Sequence, residues 1–306
     1  MYGKDSKGIS YTAGFFMLIA FMVAGIFVAS AISIPIWTSM TGQSIGAMEK
    51  GLSNPAYGNV ARILQTITAI VAFLLPTLLT AFLLNRRPMK LLGYSSGIKL
   101  SQFGLVVLIM IAALVVSVSL SYFNNIIPVP PTWRVAFDRW ENSYNDQVAA
   151  IIGLHNPFEY ILALVIMGFL PALCEETLFR GGLQNFLTRS MGKPLLSIII
   201  VSIIFSAIHF SWYGFLSRFF LGFILGFIYQ YSGKIWLNIF AHFLNNALAI
   251  TALYIDQVQG KPLKETITDH GGSFWGLIAL PAVISLLLIF KRISFSGAVR
   301  TTRLTD

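Results

Sequence analysis

Apolar residues fall along this chain in long unbroken blocks, without the short amphipathic stripes of a water-soluble globule. The blocks are roughly Tyr11–Trp37, Val60–Leu84, Gln102–Phe123, Phe158–Arg189, Leu195–Phe210, Phe215–Tyr231, Ile235–Ile255 and Phe274–Phe290. A helix needs about 20 such residues to cross a hydrocarbon layer of roughly 30 Å. The pattern predicts an all-α, polytopic membrane protein of about eight transmembrane helices, or six or seven if a short block is re-entrant. The fourth block changes character midway. Tyr160 to Cys174 is almost wholly apolar, whereas Glu175 to Arg189 carries charges and the pair Gly181-Gly182. It reads as one long tilted helix with a kink at Pro171. The first block is too long for a signal-peptide core and lacks a cleavage site of small residues, so it reads as the first span.

Composition agrees with this reading. Hydrophobic residues make up 56% and charged residues 11%, against about 25% charged in soluble domains. The net charge of +9 resembles a nucleic-acid signal, but no Arg/Lys patch is interleaved with aromatics, which excludes that partner. Placing both termini in the cytoplasm puts 14 Lys and Arg inside and 7 outside, as the positive-inside rule expects. The near-neutral connection Asn124 to Asn156, with Trp133 and Trp140, then falls outside as a loop on the membrane interface. Cys174, the single cysteine, excludes an internal disulfide and a Cys-rich metal cluster, and reads as a packing residue. The chain divides into residues 1–156 (three spans and an outer loop), 157–256 (the core holding the unusual polar residues) and 257–306 (an outer loop, the last span and a basic tail).

Ionised side chains cost about 2.5–3.5 kcal/mol at the bilayer centre, so those present need a partner or a use. In Glu175-Glu176-Thr177-Leu178-Phe179-Arg180, the adjacent carboxylates point about 100° apart. Arg180 sits one turn after Glu176 and is placed to neutralise it, leaving Glu175 available as a base. A solvated helix end at the interface reads the same letters equally well. His209, closing Phe205-Ser206-Ala207-Ile208-His209, reads more plainly as an inter-helix hydrogen-bond partner than as a catalyst. His242 and Asn246 lie i and i+4 on one face, where polar glue between spans is again the plainer reading. Depth links the three. Glu175 stands 14 residues from Arg189 and His209 15 residues from Pro194, both roughly 21–22 Å at 1.5 Å per residue. Asn246, 11 residues from Ile235, lies about 16 Å up its own helix. The four side chains are expected in one layer, in a cavity facing the cytoplasm.

Such a layer suits peptide hydrolysis. Glu175 can take a proton from water, His209 can hold that water, and His242 with Asn246 can hold the oxyanion. A metal reading uses Glu175, His209 and His242 around Zn²⁺, although the His-Glu-x-x-His pattern is absent. No cofactor is favoured, and Zn²⁺ stays the alternative. Asn246 is a poor zinc ligand, and Glu176, the other nearby acid, is committed to Arg180 and so unable to orient a histidine. A nucleophile is disfavoured: Ser206 has no G-x-S-x-G turn, and Cys174 has no basic neighbour.

These residues resemble the CPBP family, which includes type II CAAX prenyl endopeptidases, lysostaphin-resistance protein A-like proteins and bacteriocin-processing intramembrane proteases. The family pattern is E-E-x-x-x-R, F-x-x-x-H and H-x-x-x-N on successive helices. It is matched in order by Glu175-Glu176…Arg180, Phe205…His209 and His242…Asn246, within roughly Tyr160 to Tyr254. The resemblance implies an eight-helix fold with a cavity open to cytoplasm and lipid. It implies Glu175 as base, His209 on the water, and His242 with Asn246 as oxyanion donors. Glu176, Arg180 and Phe205 fall to structural support. The expected activity is an intramembrane endopeptidase in a bacterial plasma membrane, with a CAAX-like C-terminal segment, a leader peptide or a membrane-protein tail as substrate. Two other classes compete. A proton-coupled transporter also buries Glu and His, but no inverted repeat is visible. A non-catalytic immunity or scaffold protein would retain the same residues.

Overall fold

The computed structural model describes residues 5–268 and 272–294. Among them the chain is helical and no strand is present. The main helices are α1 (Tyr11–Thr41), α2 (Pro55–Leu84), α3 (Leu100–Ile126), α4 (Pro131–Ile152), α5 (Pro157–Met191), α6 (Pro194–Ala207), α7 (Phe215–Ser232), α8 (Ile235–Val258) and α9 (Phe274–Ser294). The basic tail expected after residue 294 lies outside the described residues.

Each of the eight apolar blocks coincides with a helix. Six of these (α1, α2, α3, α5, α8 and α9) are long and apolar enough to cross a membrane, which makes the chain an integral membrane protein. The expected count of about eight spans is not met by length. The 14 residues of α6 extend only about 21 Å, because the chain turns at Ile208–Gly214, where Phe210 adopts φ 48°. Helix α7 has 18 residues and carries Arg218 in its first turns.

Helix ends follow local chemistry. Ser10 caps α1 through its side chain, which accepts from Ala13 N, and Asn156 caps α5 by accepting from Glu159 N. Gly42, Gly192 and Gly233 close α1, α5 and α7 at φ between 65° and 68°, where a glycine is free of Cβ strain. The connection expected as an interfacial loop is instead largely the 22-residue helix α4. Its mixed charges lower its hydropathy. Tyr144, Gln147, Val148 and Ile151 nevertheless recur at helical spacing on one inward face. Trp133 and Trp140 stay exposed, as interfacial anchors do.

Helix α5 is the hub. Every residue from Glu176 to Phe186 is buried. Small residues let its neighbours close in: a Cβ on Gly182 would lie 2.6 Å from Leu18 on α1, and one on Gly226 of α7 2.8 Å from Gln184. Gln184 and Arg180, one turn apart, donate to the Gly226 and Gly222 carbonyls at 2.8 and 3.1 Å. Gly25 of α1 packs closely on the backbone of α2, its Cβ position 2.6 Å from the Val71 carbonyl oxygen. Gly25→Ala is therefore expected to push α1 off α2 and to cost about 1–3 kcal/mol. A thermal unfolding midpoint in detergent equal to the parent's would refute that packing.

Candidate active site

The site is assembled from the middle of α5, the end of α6 and the middle of α8. Glu175, His209, His242 and Asn246 all line one cavity of about 240 Å³, walled also by Gln65 of α2, Met167 and Pro171 of α5, and Tyr144 and Gln147 of α4. An adjoining cavity of about 350 Å³ shares Glu175, His209, Tyr144 and Gln147 and continues to Trp140 and Phe210. The four side chains anticipated in one layer are thus brought together.

Glu175 and Glu176 diverge as adjacent helical positions must. Glu175 retains 15% of its side-chain exposure and faces the cavity, with an oxygen 4.0 Å from His242 Nε2. Glu176 is fully buried and saturated with donors. Arg180 Nη1 stands 3.3 Å from Oε1, Asn238 Nδ2 donates to Oε2 at 3.2 Å, and His242 Nδ1 lies 2.9 Å from Oε1. The three donors around the Glu176 carboxylate offset part of the cost of burying the ion pair, while Arg180 Nε and Nη1 are buried without a hydrogen bond. Asn238 precedes His242 by four residues on the same face of α8, and sequence reading missed it. The polar i, i+4, i+8 series Asn238, His242, Asn246 was the available signal.

The contact from His242 changes one expectation. Glu176 is not reserved for Arg180, because the same carboxylate accepts from the His242 Nδ1–H. Histidine orientation by a carboxylate, which sequence reading found lacking, is present. With Nδ1 as the donor, the neutral ring presents an unprotonated Nε2 towards Glu175. His242 then donates to an oxyanion only when doubly protonated.

His209 lies just beyond the last turn of α6. Its Nδ1–H donates to the Phe205 carbonyl at 2.8 Å, which leaves Nε2 as an acceptor. Phe205 packs edge-on against both His209 and His242, with centroids 5.2 and 5.9 Å away. The Arg180 guanidinium sits 4.8 Å above the same ring. Phe205 therefore fixes three polar groups through one apolar side chain. Asn246 is placed by a proline. Pro171 has no N–H, so the Met167 carbonyl one turn earlier has no helical donor. The wide turn Leu164–Phe169 accommodates this, and Asn246 Nδ2 reaches the Met167 and Gly168 carbonyls at 3.4 and 3.5 Å. Such long bonds hold the amide loosely and leave it able to donate elsewhere. Helix α4 contributes Tyr144, whose phenol burial pushes up from its usual range while Arg218 opposes the shift. Tyr144 therefore enters the cavity as a neutral hydroxyl.

Among the described residues, no three His, Cys, Asp or Glu side chains gather closely enough to hold a metal ion. Cys174 is buried, and the Ser206 hydroxyl donates to the Phe215 carbonyl at 2.6 Å.

The cavity, expected to face the cytoplasm, is walled in part by α4, which belongs to the connection 124–156. Towards the other end of α5 every residue from Glu176 to Phe186 is buried.

Comparison with known proteins bears on the same segment. Residues 157–248 match the family described as type II CAAX prenyl endopeptidase, Rce1-like. This segment is Rce1-like. It holds α5, α6, α7 and α8 through Leu248, and therefore every residue named above for the site outside α2 and α4. A protein of Bacillus subtilis described as uncharacterized protein YpbD is 28% identical over 100 residues, covering 31% of this chain. The aligned stretch is 48% of that relative, so the chain matches about half its length. No solved structure matches the chain. The Rce1-like segment begins at Pro157, the first residue of α5, and ends two residues past Asn246, leaving α1 to α4 and α9 outside it.

Proposed function

We propose that the protein is an intramembrane endopeptidase that hydrolyses a peptide bond with water activated by Glu175. The observation that carries this reading is the convergence of Glu175, His209, His242 and Asn246 on one cavity, with Glu175 4.0 Å from His242. The Rce1-like match supports a protease of CAAX type in general. In the proposed reaction, water is held between the Glu175 carboxylate and His209 Nε2. Glu175 takes a proton from it, and the oxygen forms a bond to the peptide carbonyl carbon. Asn246 Nδ2 donates to the resulting oxyanion, joined by His242 when Nε2 carries a proton. As the C–N bond breaks, the proton on Glu175 passes to the departing nitrogen. Glu176, Arg180, Asn238 and Phe205 position these groups. The substrate is a polypeptide segment at the membrane, and α2 and α4 supply part of the wall that selects it.

Reconstituted protein added to membranes from cells lacking it tests the reading. Wild type is expected to generate new peptide termini, and Glu175→Gln none. Equal yields from the two would refute it. Asn246→Ala is expected to lower the rate about 10²–10³-fold, the usual effect of losing one oxyanion donor, with little change in unfolding midpoint because its bonds are long. A rate within a few-fold of wild type would remove Asn246 from the mechanism. The reaction is proposed to need no metal, so exhaustive chelation should leave the rate unchanged. Loss on chelation with recovery on adding Zn²⁺ would contradict that.

A further inference from the structure

The connections between helices gather at two opposite ends of the molecule. At one end Arg86 N donates to Asp5 O at 2.8 Å and Ile235 N to Gly93 O at 3.0 Å, tying together the segments before α1, after α2 and before α8. At the other end Arg62 Nε donates to Ile151 O at 2.7 Å, and Leu216 N to Asn124 Oδ1 at 3.0 Å. These contacts unite the start of α2 with α4, and the end of α3 with the start of α7. The two ends differ sharply in charge. Among the described residues the first carries ten Lys and Arg, from Lys7 to Arg292, with Asp5 as its only acid. The second carries seven Lys and Arg and seven acids. Several of its cations are bound locally: Arg62 to backbone carbonyls, Lys261 to Asp256 and Lys264 to Asp146. Arg180 is buried beside Glu176 and belongs to neither end.

The Lys and Arg excess in short loops sets which end stays in the cytoplasm. The cavity meets the other end. Its mouth is formed by Trp140, Ser143 and Phe210, and the buried part of α5 separates Glu175 from the cation-rich end. We infer that the site opens to the non-cytoplasmic side of the membrane and takes exported or extracytoplasmic polypeptide segments as substrates. Its chemistry rests on the peptidase reading above, but its orientation does not. A C-terminal tail anchored at the cytoplasmic leaflet would meet the closed end of α5 and would not reach Glu175. The substrate class is therefore the extracytoplasmic part of a membrane-anchored or translocated chain. The near-neutral rim of α4, with its exposed tryptophans, meets it at the interface.

Cysteine accessibility in the full chain tests this without any cleavage assay. In a Cys174→Ala background, single cysteines are placed at the mouth (Ser143→Cys, and separately Asn142→Cys) and at the opposite end (Lys90→Cys), all exposed positions. Intact cells are then treated with a membrane-impermeant maleimide. The mouth cysteines are expected to label in intact cells, and Lys90→Cys only after permeabilisation. Labelling of Lys90→Cys in intact cells, with both mouth cysteines protected until permeabilisation, would overturn the inference. That result would leave the peptidase reading standing, because the peptidase reading is tested by the loss of cleavage in Glu175→Gln. Undiminished cleavage in Glu175→Gln, with outward labelling, would fault the chemistry and keep the orientation.

Discussion

Glu175→Gln is expected to lower hydrolysis by about 10²–10⁴-fold, the range for removing a positioned general base, while the protein remains folded. The amide is nearly isosteric and keeps its place on the cavity wall, but it cannot accept the proton of the attacking water. Glu175 is the more exposed of the two carboxylates, and its nearest polar contact across the cavity is His242 Nε2 at 4.0 Å. Its loss therefore leaves the Glu176–Arg180–His242–Asn238 network intact, and the unfolding midpoint should match wild type. A variant inactive only because it is unfolded would not count in favour. A folded Glu175→Gln protein with undiminished cleavage would remove the proposed base.

Arg180→Ala should have the largest effect on stability. It strands the Glu176 carboxylate, which is fully buried, and removes the bond to the Gly222 carbonyl that ties α5 to α7. Breaking one side of a buried pair typically costs about 3–5 kcal/mol, enough to remove most of the folded protein from a marginally stable chain. Arg180→Lys keeps the charge but loses the forked geometry, and should lie between the two. Thermal unfolding midpoints in detergent give the order wild type, Lys, Ala. An Arg180→Ala protein as stable as wild type would mean that the pair with Glu176 contributes nothing to the fold.

Much of the site was legible because membrane burial makes polar residues costly, so those that remain stand out. The i, i+4 link from Glu176 to Arg180 follows from helix geometry alone, and the structure places the two side chains 3.3 Å apart. The meeting of Glu175, His209, His242 and Asn246 was approached by counting residues along three helices. What escaped lies in relations that one-dimensional spacing does not carry. Asn238 looked like one more polar residue until it met Glu176 from another helix. The double use of Glu176 depends on which way the His242 ring turns. Helix α4 was hidden because Arg134, Asp138, Arg139 and Glu141 dilute its apolar face, so a hydropathy reading returns a loop. Depth along a helix says how far a residue lies from each end, but not which end is packed shut. Helix α6 is shorter than its apolar block because the chain leaves the helix at Ile208 and Phe210, although both are apolar.

The central claim is that Glu175 drives peptide-bond cleavage at a membrane. It is tested most directly by mapping protein termini in the membranes of cells carrying wild type, Glu175→Gln or Cys174→Ala. Cys174 is buried beside the base without a role in the reaction, so its variant controls for disturbance at that turn of α5. The account predicts new termini, close to a membrane boundary, present with wild type and Cys174→Ala and absent with Glu175→Gln. Termini identical in all three would contradict it.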